Sequence, residues 1–210
     1  MAPAVELAAC SKRFGERVAL RRVSFVVAPG TSTALMGANG SGKSTALRIV
    51  AGLVRPTAGR ALVDEVPAAE LDRASRGAIG YLGHRALAYR GLTAGENLTL
   101  FARLYRRPPA MVATALSEVG LDDRADDRIE GFSRGMLQRL ALARILVTGP
   151  ELLLLDEPAT GLDHDGATLL DDVLARLRGS VTMLSATHDD AFAARHADRV
   201  VQLAHGEVVA

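Results

Sequence analysis

Short apolar runs bounded by glycine, proline or charged residues dominate the first 83 residues of the chain. They predict strands over 5–14, 18–27, 33–36, 60–66 and 79–82. Gly15 and Glu16 separate the first two runs, and Pro29-Gly30 forms a turn before the third. Early strands joined by tight turns indicate an antiparallel β flap.

A helical pattern replaces these runs from residue 93 to residue 107. Thr93 and Glu96 have capping-box spacing, and the apolar face predicted for this helix comprises Leu98, Phe101, Leu104 and Tyr105. Pro109 opens a second helix through residue 119, and Ser133 can cap a third through residue 147. Residues from about 84 to 140 therefore read as a helical insert within one domain, 1–210.

Two strongly apolar stretches follow the helices. Residues 151–156 read ELLLLD, and residues 181–187 form a similar run that ends at His188. Four leucines between polar flanks are typical of a strand buried on both faces of a parallel sheet. A short helix over 191–197 and a hairpin at His205-Gly206 follow. The pattern predicts an α/β fold.

Composition narrows the class of protein. The net charge is +1, so no global charge excess argues for a nucleic-acid partner. Cys10 is the only cysteine, so neither an internal disulfide nor a cysteine zinc site is available. The N-terminus lacks a signal-peptide pattern, and no apolar run approaches the roughly 18 residues that span a bilayer. We therefore expect a soluble cytoplasmic chain.

The stretch GANGSGKST matches the phosphate-loop pattern G-x-x-x-x-G-K-[ST] between a predicted strand and a predicted helix. Its members are Gly37, Ala38, Asn39, Gly40, Ser41, Gly42, Lys43, Ser44 and Thr45. Backbone N–H groups of such a turn, with the positive end of the helix, can surround a triphosphate. Lys43 would reach the β and γ phosphates and Ser44 would ligate Mg²⁺. The alternative is a plain glycine and serine turn with a solvated lysine.

Polar residues at the ends of the buried strands supply the remaining chemistry. Asp156 would hold the metal and Glu157 would polarise the attacking water, although both could instead be helix-capping acids. His188 could orient water or contact the γ-phosphate, although a histidine at a strand end is usually structural. Phe14, at the end of the first strand, is either an adenine-stacking residue or part of the core.

The order of these motifs resembles the ATP-binding cassette of ABC transporters over essentially the whole chain. The loop at 37–45, LLLLDEP, the run TGLD ending at Asp163, and Thr187-His188 are similar to the Walker A, Walker B, D-loop and H-loop motifs. The resemblance implies a P-loop NTPase with a RecA-like core, an antiparallel β flap and a helical subdomain that faces a membrane protein. It also implies ATP and Mg²⁺ as ligands, Phe14 at adenine, and two cassettes that sandwich ATP.

Two positions depart from the family pattern. The LSGGQ signature is here FSRGM, which keeps Ser133 and Gly135 for the γ-phosphate of a second copy but introduces Arg134. Without the resemblance this would be an ordinary capped helix. His84 stands where most cassettes have a glutamine that touches Mg²⁺ and water. We hypothesise that His84 substitutes for it; the alternative is a surface histidine with no role.

The short length, Gly83-His84 and the run 92–98 look most like the ATP-binding subunit of the bacterial haem exporter of cytochrome c biogenesis. FSRGM-like signatures also occur in cassettes of ABC-2 drug and polysaccharide exporters, which are usually longer. The resemblance implies a separate multi-spanning permease, a second copy of the chain and a peripheral place on the cytoplasmic face of the cell membrane. A soluble ATP-gated regulator is the remaining alternative.

Overall fold

The computed structural model describes residues 2–83 and 87–209. It divides into two compact units. Unit 1 comprises residues 1–81, 151–158 and 177–210, and unit 2 comprises residues 82–150 and 159–176. The helical insert expected over about 84–140 falls within unit 2.

The described residues form strands and helices at the following positions. The strands are β1 Val5–Phe14, β2 Arg17–Val27, β3 Ser32–Met36, β4 Ala58–Val63, β5 Val66–Pro67, β6 Ile79–Leu82, β7 Leu152–Asp156, β8 Thr182–Thr187, β9 Arg199–Ala204 and β10 Glu207–Val209. The helices are α1 Lys43–Val50, α2 Arg73–Gly77, α3 Ala94–Leu104, α4 Ala110–Glu118, α5 Arg134–Thr148, α6 His164–Leu177 and α7 Asp190–His196. No described helix has the length and apolar character needed to cross a membrane.

A four-stranded antiparallel sheet in unit 1 has the order β2-β1-β4-β5. Val5 pairs with Val27 on one side and with Val63 on the other, so β1 is an inner strand of this sheet. Burial alternates over Val23–Val27 of β2 and at the start of β1, as a period of two requires, and the alternation breaks between Leu7 and Cys10, where the pairing of β1 with β2 is irregular. The predicted antiparallel flap is thereby confirmed.

A six-stranded sheet in unit 1 has the order β10-β9-β3-β8-β7-β6. The strands β9, β3, β8 and β7 run parallel, and β10 closes an antiparallel hairpin with β9. Every residue of β3, β7 and β8 is buried, which confirms the interpretation of the leucine run as a fully covered parallel strand. Met36 pairs with Thr187, and Asp156 pairs with Ala186, so these three strands end at the same edge.

Helix α1 joins the two sheets of unit 1 through one apolar core. Leu47, Ile49 and Val50 are fully buried and belong to a cluster that includes Leu154 of β7 and Leu184 of β8. Leucine-sized side chains each contribute about 1.5–3 kcal/mol when removed from water. This packing holds the first turn of α1 at the carboxyl edge of the parallel strands.

Unit 2 contains helices α3, α4 and α5, which pack pairwise on one another. The capping box predicted for α3 is present: Thr93 Oγ1 accepts from Glu96 N, and a Glu96 carboxylate oxygen accepts from Thr93 N. Asn97 is buried, and its amide bonds to the backbone of Tyr89, Leu92 and Thr93. This one side chain therefore orders the segment that leads into α3.

The apolar face predicted for α3 is partly wrong. The residues that it buries are Ala94, Asn97, Leu98 and Ala102, whereas Leu104 is 51% exposed. Leu104 lies six residues beyond Leu98, which is a rotation of about 240° on a helix of 3.6 residues per turn. The helix also ends at Leu104 instead of continuing to residue 107, and the Arg107 guanidinium donates to the carbonyls of Thr148 and Gly149 at the end of α5.

Helix α6 was absent from the sequence-based expectation. Its buried residues are Gly166, Leu170, Val173 and Leu174, which have the i, i+4, i+7, i+8 spacing of an amphipathic helix. Asp163 accepts a hydrogen bond from Gly166 N at 2.8 Å, as an N-capping side chain does. Both signals lie in the sequence of α6 itself, and Asp163 serves as the cap of α6 in addition to the functional role expected of it.

We predict that Thr93→Ala lowers the free energy of unfolding by about 1 kcal/mol, because the capping hydroxyl of α3 is lost. Urea denaturation followed by circular dichroism measures this change. Thr114→Ala is the control, since Thr114 lies on the exposed face of α4 and bonds only weakly to Ala110 O. A destabilisation of Thr114→Ala equal to that of Thr93→Ala would contradict the capping role.

Candidate nucleotide-binding site

The loop between β3 and α1 is shaped by glycines that the surrounding backbone requires. Gly37 has φ 150° and Gly42 has φ 111°, and both lie outside the region that other residues favour. A Cβ on Gly37 would collide with the carbonyl oxygen of Leu203, and one on Gly42 would lie 2.6 Å from that of Ala19. Ala38, Asn39 and Gly40 are exposed at the tip, and Thr45 lies half-buried in the first turn of α1.

Ser41 lies inside this loop with an unsatisfied polar atom. Its backbone N–H donates to Ala38 O, and its backbone carbonyl accepts from Gly206 N. Its buried Oγ has no hydrogen-bond partner among the described residues. Because buried hydroxyls almost always have a partner, a ligand or water in the loop is expected to supply one.

Lys43, the first residue of α1, is buried and points back into the loop. Its Nζ donates to Gly37 O at 2.7 Å and to Ala38 O at 3.2 Å. The same nitrogen lies 3.5 Å from Glu157 Oε1, with both side chains largely buried. A buried ammonium requires such partners. The loop carbonyls and Glu157 therefore hold Lys43 at the place where the sequence analysis expects phosphates.

Ser44 and Asp156 meet at the junction of the loop and β7. Ser44 Oγ donates to Asp156 Oδ1 at 2.6 Å, although 112 residues separate them in the chain. Hydroxyl and carboxylate oxygens are the ligand types that Mg²⁺ prefers, so this pair fits a magnesium ion. In the described part of the chain no group of three or more histidine, cysteine, aspartate or glutamate residues converges as a metal site. Ser44 and Asp156 are thus the metal candidates that the structure brings together.

Tyr81, the third residue of β6, completes the surroundings of Asp156 and was missed by the sequence analysis. Its hydroxyl donates to Asp156 Oδ2 at 2.8 Å. Burial, and to a smaller extent the charge of Asp156, raises the pKa of Tyr81 well above its usual range. Tyr81 lies beside Asp156 because β6 is the neighbour of β7 in the sheet. This strand order cannot be read from the sequence around either residue.

Glu157 and His188 form a contact at the ends of two neighbouring strands. His188 Nδ1 lies 2.9 Å from Glu157 Oε2, and the histidine is half exposed while the glutamate side chain is 11% exposed. Glu157 has φ 52°, an uncommon conformation for a residue with a side chain, and its N–H donates to Ala186 O. Strained residues of this kind concentrate at functional sites. The alternative that Asp156 and Glu157 cap a helix is wrong, because Asp163 caps α6, the helix that follows them, by accepting from Gly166 N.

Phe14 is not a core residue. It lies 48% exposed at the end of β1, with Lys12 Nζ 4.8 Å from the ring centroid. It pairs with Arg17, and the Arg17 guanidinium lies 3.8 Å from the position of a Cβ on Gly40. The core-packing alternative is therefore wrong, and the exposed ring belongs to a turn adjacent to the phosphate loop.

A second group of predicted residues lies in unit 2. Ser133 caps α5 by accepting from Met136 N at 3.2 Å. Gly135 lies next to Asp163, whose Oδ2 is 3.8 Å from the position of a Cβ on that glycine. Arg134 donates to Thr160 O at 3.3 Å and covers Gly161, which has φ 74°. The structure thus brings Ser133, Gly135 and Asp163 together, and His84 lies outside the described residues.

Comparisons with known proteins show which family the chain resembles in sequence. The family model described as "ABC transporter" matches residues 20–160. The chain is 36% identical over 213 residues to the Nod factor export ATP-binding protein I of Rhizobium sp. (strain N33), covering 99% of this chain and 70% of that protein. It is 38% identical over 214 residues to the sulfate/thiosulfate import ATP-binding protein CysA of Mycobacterium bovis (strain ATCC BAA-935 / AF2122/97), covering 99% of this chain and 61% of that one.

Solved structures are similar as well. One described as the ATP binding subunit of an ABC transporter has a TM-score of 0.91 at 30% identity, covering 99% of this chain and 88% of that one. A dimeric ATP-binding cassette in a post-hydrolysis state with ADP and Pi has a TM-score of 0.87 at 30% identity, covering 98% and 97%. These similarities confirm the predicted cassette fold. The relatives' names include export and import of different cargoes, so they do not support haem specifically.

We predict that Gly42→Ala reduces both stability and nucleotide affinity, because its Cβ would meet the Ala19 carbonyl and the Leu20 side chain. Gly179→Ala is the matched control: Gly179 also has positive φ, 80°, but a Cβ there meets nothing within 4 Å. The control should lose only the roughly 1–2 kcal/mol that a side chain costs in the left-handed region. Thermal unfolding and titration with a fluorescent ATP analogue measure the two effects. Equal losses in both variants would show that the close approach at Gly42 has no special role.

Proposed function

Because the chain belongs to the ABC transporter family, we propose that it is the ATP-hydrolysing subunit that powers a membrane transporter. The observation that carries this proposal is the meeting of Ser44 with Asp156, and of Lys43 with Glu157, at one edge of the parallel sheet. In α/β sheets the carboxyl ends of the strands are where ligands bind. The four side chains there combine a cation, a hydroxyl and two carboxylates, as phosphoryl transfer from Mg-ATP requires.

In this proposal the loop at 37–45 binds the phosphates of ATP. Its backbone N–H groups and the amino end of α1 face an anion favourably. Lys43 moves its hydrogen bonds from the carbonyls of Gly37 and Ala38 to the phosphate oxygens. The ring of Phe14 stacks on adenine at the side of the loop. Because the ring is exposed, this contact removes no side chain from the core.

Hydrolysis follows from the residues at the strand ends. Glu157 accepts a proton from the water that attacks the γ-phosphate. His188, whose Nδ1 lies 2.9 Å from the Glu157 carboxylate, orients the same water or contacts the γ-phosphate. Ser44 and Asp156 would hold Mg²⁺, which would neutralise phosphate charge. His84 is proposed as a further contact to metal and water on the basis of the family resemblance.

The proposal includes a second copy of the chain. Ser133 and Gly135, at the amino end of α5, would bind the γ-phosphate held by the other copy, with Asp163 beside them. The similar solved cassette that is dimeric with ADP and Pi supports this arrangement. Arg134 adds a positive charge to this end of α5, so we expect it to strengthen closure on ATP.

We also propose a separate multi-spanning permease as partner, with the chain peripheral on the cytoplasmic face of the cell membrane. The names of the relatives, which include exporters and importers, support a transport role without fixing the cargo. Haem export remains the specific proposal that Gly83-His84 and the run 92–98 support. Export of another cargo by an ABC-2 type transporter is the alternative, and the export function named for the first relative favours it.

Lys43→Ala should weaken ATP binding by about 10-fold to 100-fold, since charge-assisted hydrogen bonds contribute about 1.5–3 kcal/mol. Isothermal titration calorimetry with a non-hydrolysable ATP analogue measures the loss. Arg73→Ala, which removes an exposed cation on α2, is the control and should bind like the wild type. An unchanged affinity of Lys43→Ala for the ATP analogue would show that the loop does not bind the phosphates.

Glu157→Gln should bind ATP but hydrolyse it about 10²-fold to 10⁴-fold more slowly, because the glutamine has the size and shape of the glutamate side chain but cannot act as a general base. Phosphate release under saturating Mg-ATP provides the measurement. Glu151→Gln changes an exposed glutamate just before β7 and should keep wild-type turnover. Wild-type turnover of Glu157→Gln would exclude Glu157 as the base.

The same variant tests the partner and the cargo. Glu157→Gln, tagged and purified from native membranes with Mg-ATP, should elute as a dimer together with a multi-spanning protein. A haem absorption band, or cytochrome-maturation proteins in the eluate, would support haem export. Co-elution of a different permease would assign the chain to another class of exporter with another cargo. Recovery without any membrane protein would favour the soluble regulator.

A further inference from the structure

The carboxylate of Asp156 has hydrogen-bond donors on both oxygens. Oδ1 accepts from Ser44 of α1 at 2.6 Å, and Oδ2 accepts from Tyr81 of β6 at 2.8 Å. The residue is only 3% exposed, so water contributes little to fixing its orientation. Of the two donors, the proposed function uses Ser44 as a metal ligand and leaves the phenol of Tyr81 without a role.

Geometry gives the two oxygens different environments. Oδ1 shares its side of the carboxylate with the Ser44 hydroxyl, and these two atoms are the hard oxygen donors that suit Mg²⁺. Oδ2 is occupied by the phenol proton. A donor fixed on one oxygen stops rotation of the carboxylate about its terminal torsion, which is otherwise broad and soft. The other oxygen is then held on the side of the phosphate loop.

The phenol itself is held firmly. Tyr81 is partly buried in β6, and its ring packs against the apolar core of unit 1. Arg48 of α1 is a second polar neighbour of the phenol and partly offsets the effect of burial and Asp156 on its pKa. With its ring fixed by this packing, the hydroxyl of Tyr81 is held within hydrogen-bond distance of Asp156 Oδ2.

We propose that Tyr81 is a positioning residue that orients Asp156 for Mg²⁺ and so sets the metal affinity of the ATP-bound protein. The proposal rests on the proposed function. Partners that orient a metal-binding side chain commonly change metal affinity or activity by 10-fold to 100-fold when removed. Tyr81 acts through Asp156 and contacts neither nucleotide nor water in the reaction.

Tyr81→Phe removes one oxygen atom and keeps the ring in place. The measurement is calorimetric titration of Mg²⁺ into protein saturated with a non-hydrolysable ATP analogue, alongside nucleotide binding in excess chelator. We expect the Mg²⁺ concentration for half-saturation to rise about 10-fold, with nucleotide affinity in chelator within 2-fold of wild type. Tyr89→Phe deletes the same atom from an exposed side chain and should match the wild type in both assays.

Two further results test whether the effect passes through Asp156. In the Asp156→Asn background, adding Tyr81→Phe should change the Mg²⁺ dependence no further. Thermal unfolding verifies that each variant is folded, and Tyr81→Leu, which removes the whole ring, should show at least the metal shift of Tyr81→Phe.

The outcomes separate the inference from the function on which it rests. An unchanged Mg²⁺ dependence in Tyr81→Phe, or an equal loss of nucleotide affinity with and without metal, would overturn the positioning role while leaving the nucleotide site intact. A wild-type protein that binds no ATP analogue at all would overturn the proposed function itself.

Discussion

The buried charges at the carboxyl edge of the parallel sheet are the constraint on which the rest of unit 1 depends. Lys43 and Asp156 are both buried, and neither can remain charged there without partners. The loop carbonyls and Glu157 surround the cation, while Ser44 and Tyr81 donate to the anion. The arrangement requires β3, β7 and β8 to end at the same edge and α1 to begin beside them.

The buried charges at this edge lower the stability of unit 1 relative to apolar packing, so their presence needs a functional explanation. Burying ionic groups gives little net stability compared with apolar packing. A cluster of buried charges in an otherwise aliphatic core therefore indicates a ligand-binding or catalytic role. The positive φ of Glu157 and the unsatisfied hydroxyl of Ser41 are further costs at the same place. In the proposed function, the phosphates of ATP would supply negative charge for Lys43 and an acceptor for Ser41, and so would offset these costs.

Much of the fold was predictable because its signals are local. The phosphate loop, the four-leucine strand, the capping box at Thr93 and the capped start of α5 each depend on residues close in sequence. The exposure of Leu104, by contrast, depends on which side of α3 its neighbours cover. Tyr81 could not be assigned because its partner lies 75 residues away on an adjacent strand. The sequence does not distinguish stacking from core packing for Phe14, because only its exposure in the folded chain separates the two.

The central claim is that the loop at 37–45 and the carboxylates of Asp156 and Glu157 form one site for Mg-ATP. A crystal structure of the protein with Mg²⁺ and a non-hydrolysable ATP analogue tests it most directly. We expect the β and γ phosphates within hydrogen-bond distance of Lys43 Nζ, and the metal between Ser44 Oγ and the carboxylate of Asp156. Nucleotide density away from this loop, or none at saturating ligand, would contradict the account.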